Sequence, residues 1–226
     1  MEADEAEVRR IHELFRYERE LWKQNVSVVA GLDEAGRGPL AGPVVAAAVV
    51  FTKETYIPQV NDSKKLTPPV REELYEIILE KAADCSVGFA DVGEIDRYNI
   101  VQASFLAMRR AVEGLSRRPD FLLVDGKTFP EQAIPCRTIV QGDARSFSIA
   151  AASILAKVTR DRLMLEYDER FPQYGFAAHK GYATRAHLDA IEQHGLCPIH
   201  RRSFHPRRFR HQLSLFQECT NETEKS

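Results

Sequence analysis

The sequence predicts an α/β protein: a mixed β-sheet flanked by helices, with a helical extension before it and a tail after it. Two apolar, strand-like segments, 27–32 and 44–51, stand close together near the start, separated by a glycine- and proline-rich turn. Later strand-like segments alternate with amphipathic helices. Phe121-Leu122-Leu123-Val124 is a short continuous apolar run, the mark of a strand covered on both faces. Element order alone also admits a Rossmann-like sheet. Three parts are expected: an N-terminal helical extension over 1–26, a main α/β domain over 27–204, and a basic, then polar tail over 205–226.

Taken in order, Val8, Ile11, Phe15 and Trp22 recur at helical spacing and predict one helix from about Glu2 to Lys23. Phe15 and Trp22 would otherwise be exposed, so the helix is expected to pack on the domain. Ser27 to Leu32 is the first predicted strand and Val44 to Phe51 the second, as an antiparallel pair. After a polar loop, Asn61-Asp62-Ser63-Lys64-Lys65, the Thr67-Pro68-Pro69 signal opens a helix, with Thr67 as N-cap. Cys85 to Val92 is a third strand, and Gly93 to Asp96 turns into the next helix. That helix carries Val101, Phe105, Met108, Val112 and Leu115 as its buried stripe. The run at Phe121 ends on Asp125-Gly126, and Ile134 to Val140 is a strand leading to Gln141-Gly142-Asp143. A long helix from Phe147 to Arg170 turns Ile149, Ala152, Ala156, Thr159 and Leu163 inward, its alanines allowing close approach to the sheet. A last helix spans Thr184 to His194.

Bulk properties narrow the class. The chain has 226 residues, 44% hydrophobic and 28% charged, which suits a soluble globular protein. No apolar run approaches the ~20 residues of a membrane span, and the acidic first residues are not a secretory signal. No membrane role and a cytoplasmic location are the expectations. Cys85, Cys136, Cys197 and Cys219 lack C-x-x-C spacing, so neither a zinc site nor a redox pair is indicated. The net charge of −2 speaks against a nucleic-acid binder, but 200–211 holds five arginines and no acid. A local basic patch, not the net charge, governs phosphate binding.

The chemistry-bearing stretch is Gly31-Leu32-Asp33-Glu34-Ala35-Gly36-Arg37-Gly38-Pro39. Two adjacent carboxylates at a strand end are a poor way to build a core. Neighbouring strand residues point to opposite faces, so Asp33 and Glu34 diverge unless the strand stops there. Asp125 and Asp143 recur in similar strand-end settings. If the strands are neighbours, four carboxylates meet at one sheet edge, repel one another and call for cations. Oxygen donors without Cys or His suit Mg²⁺ or Mn²⁺. Two such ions about 4 Å apart activate a water and stabilise the leaving oxygen of a phosphodiester. Taken singly, each acid is more often a cap or a solvated surface group, and Asp143 especially could cap the helix that follows.

The run Gly31 to Val45 resembles the N-terminal signature of the type 2 ribonucleases H, the bacterial ribonuclease HII group in particular. Matching stretches follow in the family's order: 61–66, 123–126, 142–143 with 148–161, 171–176 and 179–182, covering most of the chain from Ser27 to Phe204. The resemblance implies the ribonuclease H-like fold and hydrolysis of the RNA strand of RNA–DNA hybrids. It also implies incision 5′ to ribonucleotides embedded in duplex DNA, leaving 3′-hydroxyl and 5′-phosphate ends. Asp33, Glu34, Asp125 and Asp143 match the family's catalytic acids and would hold two divalent ions, Mn²⁺ or Mg²⁺. Gly36, Arg37 and Gly38 match the turn that reads the 2′-hydroxyl, and Tyr182 the ring that stacks on the following deoxyribose. Lys64, Lys65, Lys157 and Lys180 are candidate phosphate contacts, which position a duplex without reading sequence. His179 is expected to be structural rather than a general base.

Two further expectations concern the ends and the class. Gln212-Leu213-Ser214-Leu215-Phe216 resembles the peptide by which replication proteins dock on the sliding clamp, with Gln212, Leu213, Leu215 and Phe216 as anchors. The alternative is a terminal turn tucked onto the domain. A monomer is expected. The competing functions are a ribonuclease HIII-like hybrid nuclease, disfavoured by Arg37, and a non-catalytic hybrid-binding protein, disfavoured by four intact acids.

Overall fold

A computed structural model describes residues 2–53, 55–130 and 133–204. At its centre is a five-stranded sheet in the order β3-β2-β1-β4-β5. The strands are β1 (Val29–Ala35), β2 (Val44–Val50), β3 (Asp84–Ala90), β4 (Phe121–Asp125) and β5 (Cys136–Ile139). β1, β2 and β3 form an antiparallel meander. β4 adds to the other side of β1 in parallel, and β5 follows in parallel. The expected mixed sheet and antiparallel first pair are therefore present. What local pattern does not reveal is that β4, almost ninety residues on, pairs with β1.

β1 runs further than its apolar residues suggest. Asp33, Glu34 and Ala35 stay in the ladder opposite Ala47, Ala46 and Val45, so the strand does not stop at Leu32. Backbone pairing is indifferent to the acids, and the small alanines across from them leave room for the carboxylates.

Helices cover both faces: α1 (Glu2–Leu14), α2 (Arg16–Lys23), α3 (Pro68–Lys81), α4 (Val92–Tyr98), α5 (Ile100–Glu113), α6 (Phe147–Arg170), α7 (Phe176–His179) and α8 (Arg185–His194). Val29, Ala47 and Val49 pack with α6 on one face, while Ala30, Leu32, Ala46 and Ala48 pack with α5 on the other. α6 comes so close to β1 that a Cβ on Gly31 would fall 2.3 Å from the Ser148 carbonyl carbon. Only glycine fits there.

Four expectations are corrected. The N-terminal helix is two, α1 and α2, broken at Phe15. The break lets Phe15 stack on Phe147 at 4.1 Å while Trp22 packs 5.8 Å away. The extension thus packs on the domain, although Val8 stays exposed. Gly93 to Asp96 is not a turn but part of α4, whose start is an Asp91–Glu94 capping box. The buried stripe of α5 is Ala103, Ala107, Met108 and Ala111, with Val101 exposed, because small residues let the helix settle on the sheet. On α6 the inward face ends in Arg160 and Met164, not Thr159 and Leu163. α7 went unread in the sequence, and the clamp-like peptide lies outside the described residues. Among the described residues no helix is long and apolar enough to cross a membrane.

Candidate active site

The three parallel strands β1, β4 and β5 end at one edge of the sheet, and all four predicted acids stand there. Asp33 and Glu34 are near the end of β1, Asp125 closes β4, and Asp143 lies in the single-turn helix Gly142–Ala144 just after β5. The β1–β4 ladder stops at Leu32 and Val124, one residue short of Asp33 and Asp125. The strands part where the acids begin, and a crevice beyond the carboxyl ends of parallel strands is where open α/β sheets bind ligands.

Local bonds fix these side chains. The Gly142 N–H donates to Asp125 Oδ1 at 2.7 Å, tying the end of β4 to the turn that carries Asp143. The Glu34 N–H donates to Asp33 Oδ1 at 2.7 Å. Two cations face the acids: Lys64 Nζ lies 3.3 Å from Asp143 Oδ2, and Arg37 reaches Glu34 at 3.1 Å. Asp33 and Asp143 are each only 5% exposed.

The electrostatics are those of a crowded anionic site. Burial, then the charges of Glu34, Asp125 and Asp143, holds the Asp33 carboxyl well above its ordinary range. Burial also raises Glu34, against the pull of Arg37, and raises Asp125, with Asp143 adding to it. Lys64 rises despite partial burial because Asp143 and Asp33 favour its charge. The donors are carboxylates alone, which is the chemistry of hard divalent cations. Among the described residues no three such side chains are arranged to cage one ion. Mg²⁺ does not require a cage: it commonly takes one or two carboxylates and completes its shell with water and substrate phosphate. The donor set fits such ions on those terms.

The Gly36-Arg37-Gly38 turn lies directly after Glu34. Gly36 adopts φ +96°, and a Cβ there would strike Arg160 Nε at 2.1 Å. Tyr182 faces the turn, with its Cε1 3.6 Å from where a Gly38 Cβ would be. At 45% exposure Tyr182 is no core tyrosine.

The lysines divide. Lys64 joins the acids, and Lys65 is exposed beside it. Lys157 is paired with Asp161 at 2.7 Å, and the Lys180 ammonium bonds the Ala177 carbonyl. Both ring nitrogens of His179 are engaged, by the Tyr174 carbonyl at 2.9 Å and the Gly181 N–H at 3.2 Å, which suits a structural role. A shallow groove whose lining includes Arg10, Glu13, Leu14, Arg16 and Arg145 flanks the Asp143 turn.

Three supporting residues escaped sequence reasoning. Glu18 of α2 is fully buried and accepts from Ser146 Oγ, Ser148 N and Ser148 Oγ, at 2.6–2.9 Å, fastening the extension to the start of α6. Burial raises its carboxyl, and the Ser146 and Ser148 donors partly offset that. Arg160 and Arg201 are each 1% exposed and, among the described residues, hydrogen-bond only carbonyls, those of the 36–43 loop and, for Arg160, of Lys180. Burial, then the Arg160 charge, lowers Arg201 to about 9, so it remains a cation at neutral pH. Arg201 counts within the basic run 200–211 by sequence, and in the fold it is an interior group. The period of α6 was the available signal for Arg160, four residues beyond inward-facing Ala156.

The ribonuclease HII family model matches residues 30–210. The chain is 56% identical over 205 residues to ribonuclease HII of Desulfitobacterium hafniense (strain DSM 10664 / DCB-2), covering 91% of this chain and 79% of that one. It is 52% identical over 198 residues to ribonuclease HII of Clostridioides difficile (strain 630), covering 88% and 78%. Its fold is similar to the crystal structure of ribonuclease H2 from Pyrococcus horikoshii OT3, with a TM-score of 0.67 at 28% identity, covering 78% of this chain and 93% of that one. A ribonuclease H-like sheet with a carboxylate cluster at the ends of its parallel strands, matched over most of its length by these relatives, is a hydrolase that acts on RNA–DNA hybrids, and the chain belongs to the ribonuclease HII family.

Proposed function

We propose that the protein also incises duplex DNA on the 5′ side of an embedded ribonucleotide, leaving 3′-hydroxyl and 5′-phosphate ends, with two divalent cations. The observation that carries this reading is the juxtaposition of four carboxylates with the glycine turn that Tyr182 faces. Asp33, Glu34, Asp125 and Asp143 would hold the ions, Mg²⁺ or Mn²⁺. When bound, such ions supply a deprotonated water and charge stabilisation on the leaving oxygen.

The chain's own residues do the rest. The carboxylates lie where parallel strands part, so a phosphodiester entering that edge meets them end-on. Lys64, beside Asp143, and exposed Lys65 offer positive charge to its oxygens. Lys157 and Lys180 would have to give up Asp161 and the Ala177 carbonyl to serve in the same way. The 2′-hydroxyl is the group that tells RNA from DNA at one residue. Backbone amides of Gly36, Arg37 and Gly38 approach it without a side chain in the way, and the Tyr182 ring stacks on the next sugar. Residues 205–226 extend this reading to a partner: Gln212, Leu213, Leu215 and Phe216 would seat in a shallow apolar groove of a sliding clamp, and titration of the peptide with clamp checks it.

The test uses a DNA duplex with a single ribonucleotide and an all-DNA control, incubated with Mg²⁺ or Mn²⁺. Incision 5′ to the ribonucleotide is expected, abolished by EDTA and in Asp125→Asn. Cleavage of long hybrids alone would refute the single-ribonucleotide reading and point to ribonuclease HIII-like specificity.

A further inference from the structure

Two buried guanidiniums converge on the loop from Gly36 to Pro43, and among the described residues neither has a carboxylate hydrogen-bonded to it. Arg201 donates to the carbonyls of Gly36, Arg37, Pro39, Gly42 and Pro43 at 2.6–3.2 Å. Arg160 donates to those of Ala41, Pro43 and Lys180 at 3.1 Å each. Burying a cation is costly unless its donors are satisfied. A residue kept in that state by five carbonyls of one loop fixes the conformation of that loop.

The division of labour between the two is sharp. Among the described residues, only Arg201 holds the Gly36 and Arg37 carbonyls. Among the described residues there is no cis peptide, and in a trans peptide the C=O and N–H point in opposite directions. Drawing the Gly36 carbonyl inward therefore turns the Arg37 N–H outward, and drawing in the Arg37 carbonyl does the same to the Gly38 N–H. Neither amide donates a hydrogen bond among the described residues, whereas Leu40 and Gly42 further along donate to Gly181 and Ile199 carbonyls at 2.8 Å. The turn thus presents two consecutive free donors on the side away from Arg201, next to exposed Tyr182.

We propose that Arg201 is the positioning residue for ribonucleotide discrimination: it orients the Arg37 and Gly38 amides toward the 2′-hydroxyl from inside the fold. This rests on the proposed reading of the glycine turn. Arg160 packs against Gly36 but bonds the Ala41, Pro43 and Lys180 carbonyls, not those of Gly36 or Arg37, so it does not set those two amides.

The experiment measures affinity for the ribonucleotide duplex and for the all-DNA duplex by fluorescence anisotropy, in the full-length Asp125→Asn protein so that nothing is cut. The parent is expected to prefer the ribonucleotide duplex. Arg201→Lys keeps the charge but cannot span the carbonyls. It should lower that preference about tenfold, the effect of one or two lost hydrogen bonds, while all-DNA affinity stays within about twofold. Arg160→Lys should leave the preference intact. A merely structural role would weaken binding to both duplexes equally, or make the two variants alike, and either result overturns the inference. If the parent shows no preference, the reading of the glycine turn falls, and this inference with it. Amide hydrogen exchange on the Asp125→Asn parent supplies a measurement independent of whether Arg201→Lys folds. The Arg37 and Gly38 amides should exchange faster than those of Leu40 and Gly42, and become protected by the ribonucleotide duplex but not by all-DNA. Slow exchange of both in the free protein would also overturn it.

Discussion

Replacing Gly31 by alanine tests how closely the sheet and α6 are joined beneath the acids. Gly31 pairs with Val49 on one side and Leu123 on the other, at the middle of the sheet. Its added Cβ would lie 2.3 Å from Ser148 C, 2.4 Å from Ser148 Cβ and 2.5 Å from Ile149 N. Carbon atoms pack at about 3.5–4.0 Å, so β1 and the first turn of α6 must separate by roughly 1 Å or more. Two of the three obstructing atoms are backbone, and no rotamer change relieves them. Overpacking of this kind costs about 1–3 kcal/mol, and a backbone clash belongs at the upper end. At about 2–4 °C per kcal/mol for a chain of this size, 3 kcal/mol lowers the melting temperature by about 6–12 °C. The first turn of α6 follows the Asp143 turn directly, so the displacement reaches the site. A shift of about 1 Å in a catalytic group can cost about a hundredfold in rate. Thermal unfolding by circular dichroism and incision of a hybrid substrate report the two effects. Gly38→Ala is the control for stability, because its Cβ would meet only Tyr182, at 3.6 Å. If Gly31→Ala melts within about 2 °C of the parent and cuts normally, the close approach of α6 is refuted.

Other perturbations separate chemistry from folding. Asp33→Asn should abolish cleavage yet raise the stability of the metal-free protein near neutral pH. The folded carboxyl is raised above its unfolded value, so its penalty is absent at acid pH and grows as pH rises past the ordinary Asp range. Urea midpoints of the two proteins should therefore converge below about pH 4 and part above it. Tyr182→Ala should reduce ribonucleotide incision by tenfold or so while moving the melting temperature by under about 2 °C, as befits an exposed ring. His187 and His200 share an Nε2–Nε2 contact of 3.1 Å, and burial lowers each to about 4. The unfolded chain binds their protons first, so stability should fall as pH drops from about 6.5 through 4, and His200→Gln should flatten that slope in urea titrations at stepped pH.

The sheet edge was legible in the sequence because each acid follows or ends an apolar run, and a carboxylate there has no packing purpose. The strand order was not: β4 lies beside β1 only through pairing between distant segments, which no local period encodes. On α5 the large apolar residues drew attention, yet Ala103, Ala107 and Ala111 are the buried ones, since close helix–sheet approach rewards small volume over hydrophobicity. The break at Phe15 left no local sign either, because it serves a stack with Phe147, 132 positions away. Arg201 shows why composition misleads. Composition counts it with its arginine neighbours, but its environment is set by five carbonyls that only the folded loop brings together.

The two halves of the site are held by different forces, and this bears on how they fail. The acids are carried by strand ends and opposed by their own repulsion, so cations that bind them add stability by mass action as well as chemistry. The glycine turn is carried by the buried Arg201 guanidinium bonded to its carbonyls, with no carboxylate hydrogen-bonded to that guanidinium among the described residues. Chelation should therefore lower the melting temperature and stop cleavage while leaving the turn formed. Loss of Arg201 should disturb the turn while leaving the strand ends, and any ions bound there, in place. If the turn reads the ribonucleotide as proposed, that separation lets recognition proceed without waiting on metal occupancy.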